Sequence, residues 1–240
     1  MSAELAPIGV LAEGPGGRSV VAAIARALPR EDVVLLADGA YAPYAGKHPR
    51  VVCDRTQRLV DDLVERGVKL IVLASLQAVA DAAAGLRATV PIVDLRAPVR
   101  EAAPLCGGGP IAVVVAGGTV RGRQLQLALR PVRSPGGQQI QEWKGLRELV
   151  DAGADARELV ELGVASLRAA GAGAIALADA WGAAVAPLVE FPSADCASVA
   201  AARVRATLLA AGLLARRQRA GQHTSVSTDP LGAALSRASS

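Results

Sequence analysis

Histidine is almost missing from this chain: His48 and His223 are the only two in 240 residues. That scarcity disfavours zinc chemistry and a Ser-His-Asp triad. Cysteine is nearly as rare. Cys53, Cys106 and Cys196 are odd in number and far apart, so they suggest neither a disulfide framework nor a metal site, and a reducing cytoplasm is the simplest setting. No stretch of about twenty apolar residues, the length a membrane span needs, lacks a charge or a helix breaker. The most apolar region, Ala169 to Phe191, is broken by Asp179 and Pro187. The opening MSAELAPIGV has no basic stretch followed by an apolar one, so no signal peptide is expected. Aromatics are limited to two Trp, two Tyr and one Phe. A nucleic-acid reader would show a clustered basic stripe with stacking aromatics. Here the net charge is only +4 and the arginines are scattered. Arg216, Arg217 and Arg219 form the one cluster, read as a solvated helix end, and no nucleic-acid partner is expected.

What is abundant is apolar sequence, 52% of the chain, enough for a large core. It comes in short runs separated by longer amphipathic ones. Ile8–Leu11, Val33–Leu36, Leu70–Leu73, Ile92–Val93, Ile111–Val115 and Ala174–Leu177 are near-continuous and rich in Val, Ile and Ala, as strands covered on both faces are. Val51–Arg66 places Leu59, Val60, Leu63 and Val64 on one helical stripe, and Ala156–Ala170 does the same with Leu159, Val160, Val164 and Leu167. Gly67 and Gly171 stand where glycines close helices. This alternation predicts an α/β protein with mostly parallel sheets.

A weak repeat runs through the chain. Gly67 and the strand ending at Ser75 match Gly171 and the strand ending at Asp179 at an offset of 104, and Pro7-Ile8 matches Pro110-Ile111 at 103. Duplication predicts two similar doubly wound domains facing across a cleft, each offering the carboxyl ends of its strands to a ligand.

Read in order, the segments resemble glutamate racemase, of the aspartate/glutamate racemase superfamily. IGVLAEGPGG is similar to that family's opening strand and glycine-rich turn, and LPREDVVLLADGAYAPYAGK to its second strand and Pro-Tyr loop. GVKLIVLASLQA, PIVDLRAP, IAVVVAGGTV, ELVDAG and FPSADCASVA follow in the family's order, and GQHTSVSTDP resembles its closing strand. The likeness runs nearly end to end. It implies a first domain of residues 1–97 plus a returning segment, 208–240, and a second domain of 98–207. It also implies a homodimer, a link to cell-wall precursor metabolism, and chemistry without a cofactor.

In such enzymes one cysteine thiolate removes the α-proton of an amino acid and a second thiol returns one on the other face. That requires two acid/base groups on opposite sides of a nearly planar carbanion. The resemblance puts those positions at Ser75 and Asp179, so both thiols are lacking. Leu76 and Gln77 replace the Asn and Thr after the first, Ala180 and Trp181 the Thr and His after the second, and Ala12-Glu13 an Asp-Ser pair. Pro43, Tyr44 and Thr119 match the family, and Asp151 stands for a glutamate. None of the three cysteines maps to a catalytic position. The expectation is a racemase-like protein that has lost amino-acid racemisation and acts by binding a small molecule or a protein partner in the cleft. One alternative is a repurposed isomerase or lyase acting on another small acid or carbonyl compound. A second is glutamate racemase itself.

The ligand pocket expected from the resemblance comprises Ala12, Glu13, Pro43, Tyr44, Leu76, Gln77, Thr119, Ala180 and Trp181. Glu13 and Asp179 read either as an acid/base pair or as two solvated carboxylates in a disused pocket. Gly14, Gly16 and Gly17 match no phosphate-binding fingerprint and read as a tight turn. Tyr41, Tyr44, Trp143 and Trp181 read as pocket anchors or as filling. His48 reads as a lone surface side chain, and Glu148 with Asp151 as a solvated helix face.

Overall fold

The computed structural model of the chain describes residues 3–14, 16–94, 97–116 and 136–229. Two parallel sheets carry the fold. The first joins β1 (Ile8–Ala12), β2 (Val33–Ala37), β3 (Leu70–Leu73), β4 (Ile92–Asp94) and β9 (His223–Ser227) in the order β4-β3-β1-β2-β9. The second joins β5 (Ile111–Ala116), β6 (Gln138–Trp143), β7 (Ala174–Leu177) and β8 (Ser193–Asp195) in the order β6-β5-β7-β8. All the strand pairs are parallel. The central strands β1, β3, β5 and β7 are buried along their whole length, which explains their unbroken Ile, Val, Leu and Ala.

The two sheets repeat one plan. In the first, Ile8 of β1 lies opposite Leu70 of β3; in the second, Ile111 of β5 lies opposite Ala174 of β7. The match in register is the structural form of the offset in the sequence. Both α/β units and their parallel pairing are as the apolar runs predict. β6 and β8 carry no strand signal in the sequence. β6 (QQIQEW) is a polar strand at the edge of its sheet, and β8 (SAD) is three residues long. Neither is covered on both faces, so neither carries a continuous apolar run.

Helices pack on both sheets. α1 (Gly17–Ala27) follows the glycine-rich turn, and α2 (Pro49–Glu65) crosses from β2 to β3. His48 is not idle: its Nδ1 accepts the Arg50 N–H at 3.3 Å and caps α2, with Pro49 in the first helical position. Short helices α3 (Leu76–Ala82) and α4 (Ala97–Ala102) flank β4. Around the second sheet lie α5 (Leu146–Asp151), α6 (Arg157–Ala169) and α7 (Ala180–Val185). Gly67 and Gly171 end α2 and α6 with φ of 75° and 78°, a left-handed backbone that glycine adopts without strain.

α8 (Cys196–Ala210) leaves the end of β8 but packs in the core of the first sheet. There Cys196, Ala200, Val204 and Leu208 meet Ile8, Val20 and Ile24. From α8 the chain runs back to β9. Two ion pairs clasp that return: Lys69 Nζ lies 2.6 Å from Glu31 Oε2, and Arg217 Nη2 lies 2.6 Å from Asp32 Oδ1. Lys69 also donates to the carbonyls of Glu4 and Leu213. No helix among the described residues is long and apolar enough to cross a membrane.

Candidate functional site

The carboxyl ends of β1, β2 and β3 bring together a hydrogen-bonded chain of side chains. Glu13 directly follows β1, Asp38 follows β2 and Ser75 follows β3. Ser75 Oγ donates to Glu13 Oε1 at 2.7 Å, and the Tyr44 N–H donates to Glu13 Oε2 at 2.9 Å. Ser75 Oγ also accepts the Ala78 N–H at 3.1 Å, which caps α3 and fixes the hydroxyl. The Tyr44 phenol donates to Asp38 Oδ2 at 2.8 Å, and Asp38 further accepts from Arg55 and from Thr228 just beyond β9. Burial works against the charge on Asp38. The hydrogen bonds from Arg55, Thr228 and Tyr44, with the guanidinium charge, outweigh it and hold this carboxyl below the usual range. Burial and the nearby Asp38 push the Tyr44 phenol up, so it stays a donor.

Asp179 stands at the matching place in the second sheet, directly after β7 at the start of α7. Its Oδ1 accepts the Gly182 N–H at 2.8 Å, and its Oδ2 accepts the Ala116 N–H at 2.5 Å from the end of β5. Burial pushes its pKa up to about 6, and the charge of Glu13 adds to the rise against the backbone N–H groups. Glu13 and Asp179, 6% and 2% exposed, are thus two buried carboxylates within electrostatic reach of each other, one at the end of each sheet. The buried, hydrogen-bonded state replaces the expectation of solvated side chains.

The other expected pocket residues spread out. Ala12 ends β1, and its carbonyl accepts the Asp38 N–H. Gly17 must be glycine because a Cβ there would sit 2.5 Å from the Ala12 Cβ. Pro43 is exposed and follows a cis peptide bond from Ala42. Gln77 is buried and donates to Asp81 Oδ2 at 2.6 Å. Leu76 points into a core cluster with Val99, Ile111 and Val113. Ala180 packs in the first core, and its carbonyl accepts from Ser19 Oγ at 2.8 Å. Thr119 lies outside the described residues.

The aromatics do not converge. Tyr44 packs with Val52, Ala78 and Tyr41. Trp143 and Trp181 belong to the core of the second sheet. Trp181 donates its indole N–H to Asp151 Oδ1 at 2.9 Å, lies under the Arg147 guanidinium at 4.8 Å and presses on Gly16, where a Cβ would be 3.0 Å from its ring. Asp151 is therefore an indole acceptor and not only a solvated charge. A cavity of about 630 Å³ between α1, α7 and α8, lined by Gly16, Arg18, Ser19, Asp151 and Asp195, contains neither Glu13 nor Asp179.

The thiols stand apart from this chemistry. Cys53 on α2 donates to the Asp81 carbonyl and Cys106 to the Ala103 carbonyl, at 2.8 and 2.9 Å. Cys196 is fully buried in the first core. Burial pushes the Cys53 and Cys196 thiols up, away from thiolate reactivity. Among the described residues no group of three or more His, Cys, Asp and Glu side chains is placed to hold a metal ion. What sequence reasoning missed is the supporting layer of Asp38, Arg55 and Thr228. Its one signal was the polar Asp38 straight after an apolar strand.

No protein-family model matches the chain. It is 39% identical over 138 residues to glutamate racemase of Deinococcus radiodurans, a match covering 57% of this chain and 48% of that protein. The chain thus spans about half the length of that relative in the match. Among solved structures, glutamate racemase from Francisella tularensis in complex with D-glutamate superposes with a TM-score of 0.78 at 18% identity, over 96% of this chain and 91% of that one. Glutamate racemase from Thermus thermophilus in complex with beta-chloro-D-alanine superposes with a TM-score of 0.70 at 27% identity, over 98% and 93%.

Proposed function

We propose that this chain is a member of the aspartate/glutamate racemase superfamily and a cofactor-independent, racemase-type enzyme that moves a proton at a carbon beside a carbonyl group. The observation that carries the reading is the placing of Glu13 and Asp179. Racemisation needs a base on one face of the substrate carbon and an acid on the other. The two carboxylates stand at the ends of different sheets and are held by fixed donors, and the charge of Glu13 reaches Asp179. Two carboxyls in unlike surroundings divide the acid and base roles. The ionised partner takes the proton from carbon, the protonated partner returns one to the opposite face, and the two have then exchanged roles.

The side chains that would have blocked such a site support this reading over a purely binding role. Leu76 is turned into the core, and Trp181 is engaged with Asp151 and Gly16. Turnover of glutamate itself is the finer reading that the relatives' name favours. Ser75 and Asp179 instead favour a substrate whose α-proton is more acidic than that of a free amino acid, because a carboxylate is a weak base.

The experiment is exchange of the α-proton for deuterium in D₂O, followed by proton NMR. The panel holds D- and L-glutamate, D- and L-aspartate, and carbon acids activated by an amide or a cyclic imide. Exchange that vanishes in both Glu13→Gln and Asp179→Asn is the expected result. Exchange that survives both substitutions, or that occurs with no compound, removes the reading and leaves a binding role.

A further inference from the structure

The loop after β2 is held at Tyr44 from two directions. The backbone N–H of Tyr44 donates to Glu13 Oε2 at 2.9 Å, and its fully buried phenol donates to Asp38 Oδ2 at 2.8 Å. One residue thus joins two buried carboxylates, the first just after β1 and the second just after β2. The Asp38 end is anchored. Arg55 Nε and Nη2 reach its two oxygens at 2.9 and 2.6 Å, and Thr228 Oγ1 donates to Oδ1 at 2.6 Å. Thr228 is pinned to the same corner. Its N–H donates to the Ala37 carbonyl at 3.0 Å, and its hydroxyl accepts the Ala40 N–H at 3.3 Å.

The direction of each bond follows from the groups that make it. Asp38, paired with a guanidinium, is ionised and can only accept, so the phenol and the Thr228 hydroxyl both point their protons at it. The Ala40 N–H fills the acceptor side of Thr228, as the Ala78 N–H fills that of Ser75. The Tyr44 ring is packed with Val52 and Ala78, so it cannot slide without giving up that packing or the Asp38 bond. Where Asp38 holds the phenol therefore sets where the Tyr44 N–H meets Glu13.

A group that moves a proton has to be held within about 0.5 Å of its working place, by neighbours that are themselves locked by packing and hydrogen bonds. We infer, resting on the reading of Glu13 as one of the two proton-transfer groups, that Tyr44 is the positioning residue of Glu13. Asp38, clasped by Arg55 and by Thr228 just beyond β9, anchors the phenol and so aims the Tyr44 N–H at the carboxylate. The strand that closes the first sheet thereby reaches the reaction centre through two side chains. In a merely structural role, the phenol would stabilise the fold and leave the bond to Glu13 as it is.

The test is the NMR position of the residue-44 amide proton in the ¹⁵N-labelled chain at neutral pH. A hydrogen bond to a carboxylate is short and strong and moves the donor proton downfield. Glu13→Ala is expected to shift this signal upfield and so identifies the bond. Tyr44→Phe keeps the ring and removes the phenol donor, and Thr228→Val keeps the shape and removes the hydroxyl. Both are expected to shift the residue-44 amide upfield, Thr228→Ser is expected to restore it, and the amide of Val10 in β1 is expected to stay in place throughout. Loss of stability alone does not move an amide signal of the folded chain, so a lowered melting temperature with an unmoved residue-44 amide in either variant overturns the proposal, as does an unmoved signal in Glu13→Ala. Should Tyr44→Phe fail to fold, the Thr228 pair makes the same measurement. The two ideas fail separately, because the amide signal needs no substrate. Absence of deuterium exchange with every compound of the panel removes the proton-transfer reading and keeps the coupling of Tyr44 to Glu13. Deuterium exchange with an unmoved amide removes the coupling alone.

Discussion

Ser75 and Glu13, 62 positions apart in sequence, share a 2.7 Å hydrogen bond that ties the end of β3 to the end of β1. The serine hydroxyl acts in two directions at once, donating to the carboxylate and accepting from the first turn of α3. Ser75→Ala removes both bonds and leaves a buried acceptor short of a partner. It is expected to destabilise the chain by about 2 kcal/mol, combining a lost cap with an unsatisfied carboxylate oxygen. Urea unfolding measures this, and a loss below about 0.5 kcal/mol, within the range of an inert surface substitution, would contradict it.

Asp179 makes stability depend on pH with a definite sign. Its pKa rises from 3.8 to about 6 on folding, so the folded chain holds the proton more tightly than the unfolded one. The associated stability is fully present below pH 3.8 and is lost as pH rises through about 6. The loss is on the order of 3 kcal/mol by linkage. Other groups titrate in the same window, so the measurement is the stability difference between wild type and Asp179→Asn across it. That difference is expected to move in favour of the variant as pH rises, and to move little if Asp179 titrates as an ordinary surface carboxylate.

Asp38 is fully buried, and among the described residues its ion-pair partner is Arg55. Arg55→Met leaves the carboxylate, among the described residues, with the Tyr44 and Thr228 hydroxyls. The expected loss of stability is about 3 kcal/mol, the scale for breaking a buried pair by removing one partner. Arg55→Met combined with Asp38→Asn is expected to recover part of it, because no bare charge remains. Thermal unfolding of the single and double variants reads both effects.

Gly17 tests the close approach of α1 to β1. Gly17→Ala would put a methyl group 2.5 Å from the Ala12 Cβ and 2.9 Å from Leu35 Cδ1. The expected cost is about 1–3 kcal/mol, typical of overpacking a core. Ala12→Gly in the same chain removes the nearer obstacle and is expected to recover most of it. A Gly17→Ala variant as stable as wild type would mean that the helix shifts freely.

The central strands were legible because burial on both faces leaves apolar runs such as Leu70–Leu73 and Ile111–Val115 that no other element explains. The helix ends at Gly67 and Gly171 were legible because a left-handed turn calls for glycine. β6 was not, since an edge strand with Gln138, Gln139, Gln141 and Glu142 shows no pattern that separates it from a loop. The matching places of Ser75 and Asp179 followed from strand ends and the internal offset, and Glu13 was singled out by the resemblance. Their partners did not, because the Asp38, Arg55 and Thr228 network joins residues 17 and 190 positions apart, distances that no local spacing encodes. The contacts of Trp181, read as an anchor or as filling, were not legible for a similar reason. The sequence places it beside Asp179, but about half a turn of helix directs its ring to Asp151 and Gly16 instead.

The return of the chain to β9 has a kinetic consequence. β2 finds its outer neighbour only when the backbone N–H of Gln222 reaches Asp32 across 190 positions, whereas the strands β5 to β8 form one uninterrupted stretch. Long-range closure is slow because the entropy of a large loop must be overcome before any contact rewards it. On a ribosome the later-made sheet therefore has all its strands before the earlier-made one, and the open flank of β2 waits, unpaired, for the last part of the chain to emerge. The Lys69–Glu31 and Arg217–Asp32 pairs then act as the latch on that final step, and substitutions there are expected to slow its completion.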